Sequence, residues 1–255
     1  MSGARGRRRL DQALAEAGLA PSRARAQALI MAGKVRVGGE TERRPDRQVT
    51  PAQDIEVAQG AAFASRGALK LGPALDRFGV EVAGRVCADI GASTGGFTDV
   101  LLRRGAARVY AVDVGRGLLH WRLRQDPRVT VMEGVNARHL QALPEAVSLV
   151  TVDVSFIGLE KVLPAVAGAA PGAELVVLFK PQFQAGRGEV GKGGVVRDPA
   201  VVGAALDRFR AWCGTAGLAI AGEAPSEIPG PAGNRELLLH LLARGPGPGK
   251  AGAAT

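Results

Sequence analysis

The stretch Ala88–Leu102, ADIGASTGGFTDVLL, sets a carboxylate, three glycines and two hydroxyls between an apolar run and Phe97, where a helical pattern opens. Such a turn between strand and helix brings main chain close to a ligand. A dinucleotide fingerprint would read G-x-G-x-x-G. Here the loop reads G-A-S-T-G-G, with Ser93 where the second glycine would stand. A carboxylate at the strand end, Asp89, disfavours a diphosphate and favours a cationic ligand. S-Adenosylmethionine, with a sulfonium, an ammonium and no phosphate, meets those demands. On this reading Asp89, Gly91, Ser93, Thr94, Gly95, Gly96 and Phe97 surround the ligand, and the glycines let backbone approach its methionine part. Asp113 ends the next apolar run, 22 residues after Gly91, with Val114 beside it. An acid there accepts both ribose hydroxyls. Asn136, after VMEG, is placed to contact the adenine edge.

Four polar residues stand where apolar ones would fold more easily. Asp153 directly follows SLVTV, and Lys180 directly follows ELVVLF. An ion at the end of a central apolar strand is costly unless paired. Two of them at neighbouring strand ends read as a site. Lys70, in SRGALKL, and Glu236, in GNRELLL, are singly surface charges; their meaning comes from the set.

The elements that must position these groups alternate. GALKLGPALDRFGV suits a helix, RVCADIG a buried strand, FTDVLLRRG a helix and ARVYAVDVG a strand. RVTVMEG, VSLVTVDVSF and AELVVLFKPQ are three more strands. PAVVGAALDRFRAWCGTAG is a helix ending at Gly217. This predicts an α/β fold, a mostly parallel sheet with helices on both faces. LAIAGEAPS and NRELLLHLLA, joined without a helix, predict an antiparallel pair at one edge.

Residues 1–60 form a separate small α+β unit. Leu10, Leu14 and Ala17 recur at helical spacing, Gly18 ends that helix, and Ser22 caps the next. Leu29 and Ile30 supply the second apolar face, and Gly33 stops it. KVRVGGE alternates apolar with basic residues and ends in a Gly-Gly turn. Residues 61–65 read as a linker, 66–243 as the large domain, and 244–255, RGPGPGKAGAAT within its flank, as a disordered tail.

The net charge is +9 over 255 residues. Residues 1–50 hold eleven Lys or Arg against five Asp or Glu, about two-thirds of that excess. The imbalance points to a polyanion and localises its contact. The two cysteines, Cys87 and Cys213, form no CxxC pair, and the three histidines are scattered. No metal site or disulfide framework is expected, and a reducing compartment fits. The arginine-rich start lacks an apolar region after it, and the longest uncharged run falls short of a membrane helix. A cytoplasmic monomer is expected, without a membrane partner.

RLDQALAEAGLAPSRARAQALIMAGKVRVGG resembles the small S-four RNA-binding domain, named for a ribosomal protein. The resemblance implies that Arg7, Arg23, Arg25, Lys34 and Arg36 meet RNA, with Arg66 near the linker. SRGALKL, DIGASTGGFTDVLL, VYAVDVG, VDVSFI, KPQF and GNREL, in that order, resemble the TlyA-type ribosomal RNA methyltransferases, relatives of the FtsJ-like 2′-O-methyltransferases. The resemblance runs from about Leu10 to about Leu242. It implies a Rossmann-like domain that uses S-adenosylmethionine, ribosomal RNA or ribosomal subunits as partner, and methylation of a ribose 2′-hydroxyl of 16S or 23S RNA, on a cytidine. It also implies a Lys-Asp-Lys-Glu tetrad, matched by Lys70, Asp153, Lys180 and Glu236. Relatives are expected to read KPQFE; this chain has KPQFQ, so no acid stands at Gln184.

The tetrad makes chemical sense. A ribose hydroxyl must lose its proton as it attacks the sulfonium methyl. A lysine takes that proton only when neutral, and a second lysine, the sulfonium charge and burial all favour that form. Lys180 is assigned as base, or as the group that steers a lone pair if the proton leaves late. Asp153 orients Lys180 and helps hold the methyl donor, Lys70 lies near the target phosphate or ribose, and Glu236 orients Lys70 and the hydroxyl. The Gly-rich QFQAGRGEVGKGGVVRD, with Arg187, Lys192 and Arg197, reads as a mobile loop over the site that touches the RNA backbone. Three other readings compete. Ser93 and the Asp153–Lys180 pair count against a nicotinamide-dependent oxidoreductase, the lack of a spanning segment against a membrane-active haemolysin, and the intact tetrad against a non-catalytic assembly factor.

Overall fold

A computed structural model of the chain describes residues 6–20, 22–57, 64–186 and 188–243. The chain divides into two compact units, Met1–Ala62 and Phe63–Thr255. Most of the expected linker and all of the expected tail lie outside the described residues.

In the first unit β1 (Arg8–Arg9) leads into α1 (Leu10–Glu16), followed by α2 (Arg23–Met31). Gly18 and Gly33 follow these helices in the left-handed region, at φ 69° each. Ser22 caps α2, its Oγ accepting from Arg25 N at 3.2 Å. Then come β2 (Val35–Val37), β3 (Glu40–Glu42), β4 (Gln48–Val49) and β5 (Ile55–Val57). β2 is the centre of a three-stranded antiparallel sheet, and β1 pairs with β4. Gly38 and Gly39, both at positive φ, make the turn from β2 to β3. Val35 and Val37 point into the core with Leu10, Leu14 and Ile30, while Arg36 between them is exposed.

The second unit begins with α3 (Ala68–Phe78) and continues β6 (Val86–Ile90), α4 (Gly96–Arg103), β7 (Arg108–Asp113), α5 (Trp121–Arg124), β8 (Val129–Glu133), β9 (Leu149–Val152), α6 (Leu163–Ala169), β10 (Glu174–Phe179), α7 (Pro181–Gln184), α8 (Pro199–Thr215), β11 (Leu218–Pro225) and β12 (Leu237–Ala243). Seven strands form one sheet in the order β11-β12-β10-β9-β6-β7-β8. The five from β10 to β8 are parallel, as their near-continuous apolar sequences require when both faces are covered. β11 and β12 pair antiparallel as expected, and β12 lies inside the edge, antiparallel to β10. One face packs Ile90, Val150, Val177 and Phe179 with α6 and α8. The other packs Cys87, Val109 and Leu178 with α3 and α4. The strands β6, β7, β9 and β10 therefore end side by side at one carboxyl edge, where Asp89, Asp113, Asp153 and Lys180 stand.

Candidate active site

The glycine turn is built by its protein neighbours. Gly91 has φ 83°, and a Cβ there would strike the carbonyl of Asp153. A Cβ on Gly95, at φ 94°, would strike Leu123 and Leu119; one on Gly96 would strike Ser65 and the backbone of Ala68. The sequence reading gave these glycines to close approach of a ligand. In the structure their missing side chains also make room for the end of β9, the α5 region and the start of α3. Ser93 also takes positive φ, 49°, and its N–H donates to Asp113 Oδ2 at 2.8 Å.

Asp89 is fully buried. Its Oδ2 accepts from Thr98 N at 2.8 Å and Thr98 Oγ1 at 2.7 Å, and its Oδ1 accepts from Thr151 Oγ1 at 3.0 Å. Burial pushes the carboxyl up to about 6, against those hydrogen bonds and with help from the charge of Asp153. Asp89 thus ties β6 to the first turn of α4 and to β9 before it meets any ligand.

Asp113 accepts from Ser93 N and, at 2.7 Å, from Gly115 N. A carboxylate offers about four acceptor positions, so two remain for the hydroxyls of a ribose. It lines a cavity of about 560 Å³ with Val114, Leu118, Val135, Asn136 and Ile157. Asn136 is exposed and accepts from Arg138 N at 3.0 Å, which leaves its amide nitrogen for an adenine edge. Apolar side chains, a carboxylate and an amide thus line one cavity.

A second cavity, of about 650 Å³, adjoins it and shares Gly91, Ser93, Asp153, Ser155 and Phe156. Thr94, Gly96, Phe97, Lys70, Lys180 and Glu236 line this one. Lys180 Nζ lies 2.5 Å from Asp153 Oδ1 and donates to Ser155 Oγ at 2.9 Å. Lys70 Nζ lies 2.5 Å from Glu236 Oε2. Lys70 and Glu236 are buried, at 8% and 2% exposure, where each alone reads as a surface charge. α3 carries Lys70 on its buried side beside Leu71 and Ala74, and Glu236 immediately precedes β12. Glu236 Oε1 is buried without a donor. All four tetrad residues meet at one cavity beside the glycine turn.

Several site residues carry no readable sequence signal. Asn234, 1% exposed, accepts from Val196 N at 2.9 Å and donates to Gly194 O at 2.8 Å. It pins the Gly-rich segment after Lys180 to the turn before Glu236, and Val190, Gly193 and Gly194 of that segment form cavity wall. The expected mobile loop is therefore braced at Gly194 and Val196. Phe156, at φ 64° and 92% exposure, lines both cavities, its ring 5.3 Å from that of Phe183.

The basic residues divide. Arg66 lines the larger cavity and is exposed, and Lys192 is exposed on the braced segment. Arg187 lies outside the described residues. In the first unit Arg7, Arg25, Lys34 and Arg36 are exposed. Arg23 is partly spent: its Nε donates to Asp11 at 3.0 Å, with half of the side chain still open. Burial opposes the charge of Asp11, yet hydrogen bonds from Arg9, Gln27 and Arg23 outweigh it and hold its carboxyl well below the usual range. Among the described residues no group of three acidic, His or Cys side chains could hold a metal ion, and no helix is long and apolar enough to cross a membrane.

The doubly wound sheet, with a glycine turn and the acid Asp113 at its carboxyl edge, is the fold of the S-adenosylmethionine-dependent methyltransferases. Residues 63–242 match the FtsJ-like methyltransferase model, and residues 8–55 match the S4 domain. The 16S/23S rRNA (cytidine-2′-O)-methyltransferase TlyA of Mycobacterium tuberculosis is 48% identical over 92% of this chain and 90% of its own. Hemolysin A of Brachyspira hyodysenteriae is 39% identical over 92% of this chain and 99% of its own. A solved Streptococcus thermophilus chain that carries a hemolysin label has TM-score 0.70 at 39% identity, covering 94% of this chain and 90% of that one. The chain belongs to the TlyA-type family of rRNA methyltransferases, with an S4 domain ahead of an FtsJ-like domain.

Proposed function

We propose that this protein transfers a methyl group from S-adenosylmethionine to the ribose 2′-hydroxyl of a cytidine in 16S or 23S ribosomal RNA. The observation that carries the proposal is the convergence of the Lys180–Asp153 and Lys70–Glu236 pairs on the cavity beside the glycine turn. When bound, S-adenosylmethionine supplies an electrophilic methyl on a sulfonium.

Asp113 accepts the ribose hydroxyls of the donor, and Asn136 meets the adenine edge. Gly91, Ser93 and Asp153 line both cavities, and Thr94 and Gly96 line the larger one. Glu236 Oε1, buried and without a donor, accepts from the target hydroxyl and brings its oxygen to the lysines. Lys70, held by Glu236, faces the ribose and its phosphate. As the oxygen attacks, the hydroxyl turns its one proton from Glu236 to Lys180, which receives it as the free amine between Asp153 and Ser155. Phosphate contacts from the basic residues of the first unit and from Arg66 and Lys192 supply affinity, with little sequence choice.

Nucleoside mass spectrometry of ribosomal RNA from a bacterial host without 2′-O-methylcytidine tests the reading. Expression of the chain should create that nucleoside, and expression of a Glu236→Ala variant should not. Its absence in both would count against the proposal.

A further inference from the structure

The larger cavity contains a second buried acceptor that the methyl-transfer chemistry leaves unused. Gln182, on α7 two positions after Lys180, lines that cavity, and its Oε1 is buried without a hydrogen bond. Folded proteins leave few such groups, because an acceptor cut off from water keeps its desolvation penalty until a donor arrives. Three other side-chain atoms among the described residues share that condition. Asp153 Oδ1 lies 2.5 Å from Lys180 Nζ. The Gln184 atom is Nε2, a donor, and lies elsewhere: that side chain's Oε1 accepts from Leu159 N at 3.2 Å, and the residue does not line the cavity. Glu236 Oε1 has the target hydroxyl as its donor. Gln182 Oε1 alone has no donor from the protein or from the ribose.

We propose that Gln182 reads the base of the target nucleotide, its Oε1 accepting from the exocyclic amine of cytosine. This inference rests on the methyl-transfer reading above. A base whose ribose meets Lys180 enters the same cavity, where Phe183 and Phe156 offer apolar ring surface to its plane. Cytosine presents an N4 amine, a donor, where uracil presents a carbonyl oxygen. The amine completes the bond that Oε1 lacks; the carbonyl sets oxygen against oxygen. Recognition by an otherwise unpaired polar group discriminates strongly, since the wrong ligand leaves that group unpaired. A carboxamide can turn to offer Nε2 instead. Gln182→Glu, which keeps an acceptor and loses the donor, therefore isolates the role of the acceptor.

The test uses the full-length protein and ribosomal subunits reconstituted on transcribed RNA. The nucleotide that the wild-type protein methylates is supplied as cytidine or as uridine. Single-turnover rates give a cytidine-to-uridine ratio for the wild type, Gln182→Ala and Gln182→Glu, and calorimetry gives each protein's affinity for S-adenosylmethionine. The proposal expects a ratio well above one in the wild type, a fall of at least about tenfold in Gln182→Ala, and an undiminished ratio in Gln182→Glu. An unchanged ratio in Gln182→Ala would overturn it, as would equal losses on both bases with methyl-donor affinity retained. If Gln182→Ala loses methyl-donor affinity, the ratio in Gln182→Glu decides: undiminished supports the proposal, collapsed overturns it. A wild type that methylates no ribosomal RNA overturns the underlying function and this inference with it; a wild type that methylates both bases equally overturns only the inference.

Discussion

Lys70 and Glu236, 166 positions apart in sequence, meet at 2.5 Å with both side chains buried. That pair closes the active cavity across the fold, joining the first helix of the catalytic unit to the inner antiparallel strand. Removing one partner of a buried pair strands the other charge, at a cost of about 3 kcal/mol or more, whereas replacing both by apolar side chains is often neutral. Glu236→Ala should therefore lower stability by about 3 kcal/mol, and Lys70→Met with Glu236→Leu should restore much of it. Neither variant should transfer methyl groups. Urea unfolding monitored by circular dichroism, with a methyl-transfer assay alongside, separates the structural contribution from the chemical one.

Asp89 gives the catalytic unit a distinctive pH dependence. Its carboxyl is raised from the ordinary value of 3.8 to about 6, chiefly by burial. Between those values the folded protein holds a proton that the unfolded chain has released. The burial cost is therefore complete above pH 6 and fades as pH falls toward 4. Asp89→Asn should stabilise the cofactor-free protein at pH 8, by up to about 3 kcal/mol, and the difference should shrink to nothing near pH 4. Chemical denaturation across that range checks the sign. A variant less stable than wild type at every pH would show that the threonine hydrogen bonds outweigh burial.

Gly91→Ala places a Cβ against the carbonyl of Asp153 from a residue at φ 83°. Left-handed backbone costs a non-glycine residue about 1–2 kcal/mol, before the collision is counted. Relief requires β9 and β6 to part at their carboxyl ends, which moves Asp153 and with it Lys180. The expected result is destabilisation of about 2 kcal/mol or more, with a weakened affinity for S-adenosylmethionine, read by thermal unfolding and calorimetry.

Lys180→Arg distinguishes a proton acceptor from a group that only aims the hydroxyl. Arginine keeps the charge and the hydrogen-bond donors but does not give up its proton in proteins. If Lys180 takes the proton, Lys180→Arg should fall about 10²–10⁴-fold in single-turnover rate, as far as Lys180→Ala. Substantial activity in Lys180→Arg across the pH range would assign an orienting role instead.

The alternation of strands and helices and the glycine turn follow from local patterns in the sequence, since apolar runs, strand-end acids and turn glycines are local properties. The antiparallel pairing of β11 and β12 was legible from a missing helix, but the insertion of β12 beside β10 was not. That placement is decided by which strand buries LLLHLL more fully. Lys70 and Glu236 read alone as surface charges because burial depends on a partner 166 positions away. Only the family resemblance joined them. Asn234 was missed for the same reason: its two hydrogen bonds reach residues 38 and 40 positions back. The packing of β9, α5 and α3 against the glycine turn was not legible, because sequence shows that a side chain is missing but not what fills its space. Arg23 shows the converse limit, since a basic residue counted toward a polyanion already serves Asp11.

The central claim is that this chain methylates a cytidine 2′-hydroxyl in ribosomal RNA and that Lys180 is needed for the step. Purified protein, wild type or Lys180→Ala, incubated with radiolabelled S-adenosylmethionine and unmodified small and large ribosomal subunits, tests it directly. The account predicts label in RNA as alkali-resistant 2′-O-methylcytidine with the wild type and none with the variant. Bound methyl donor with no label in the RNA of either subunit would contradict it.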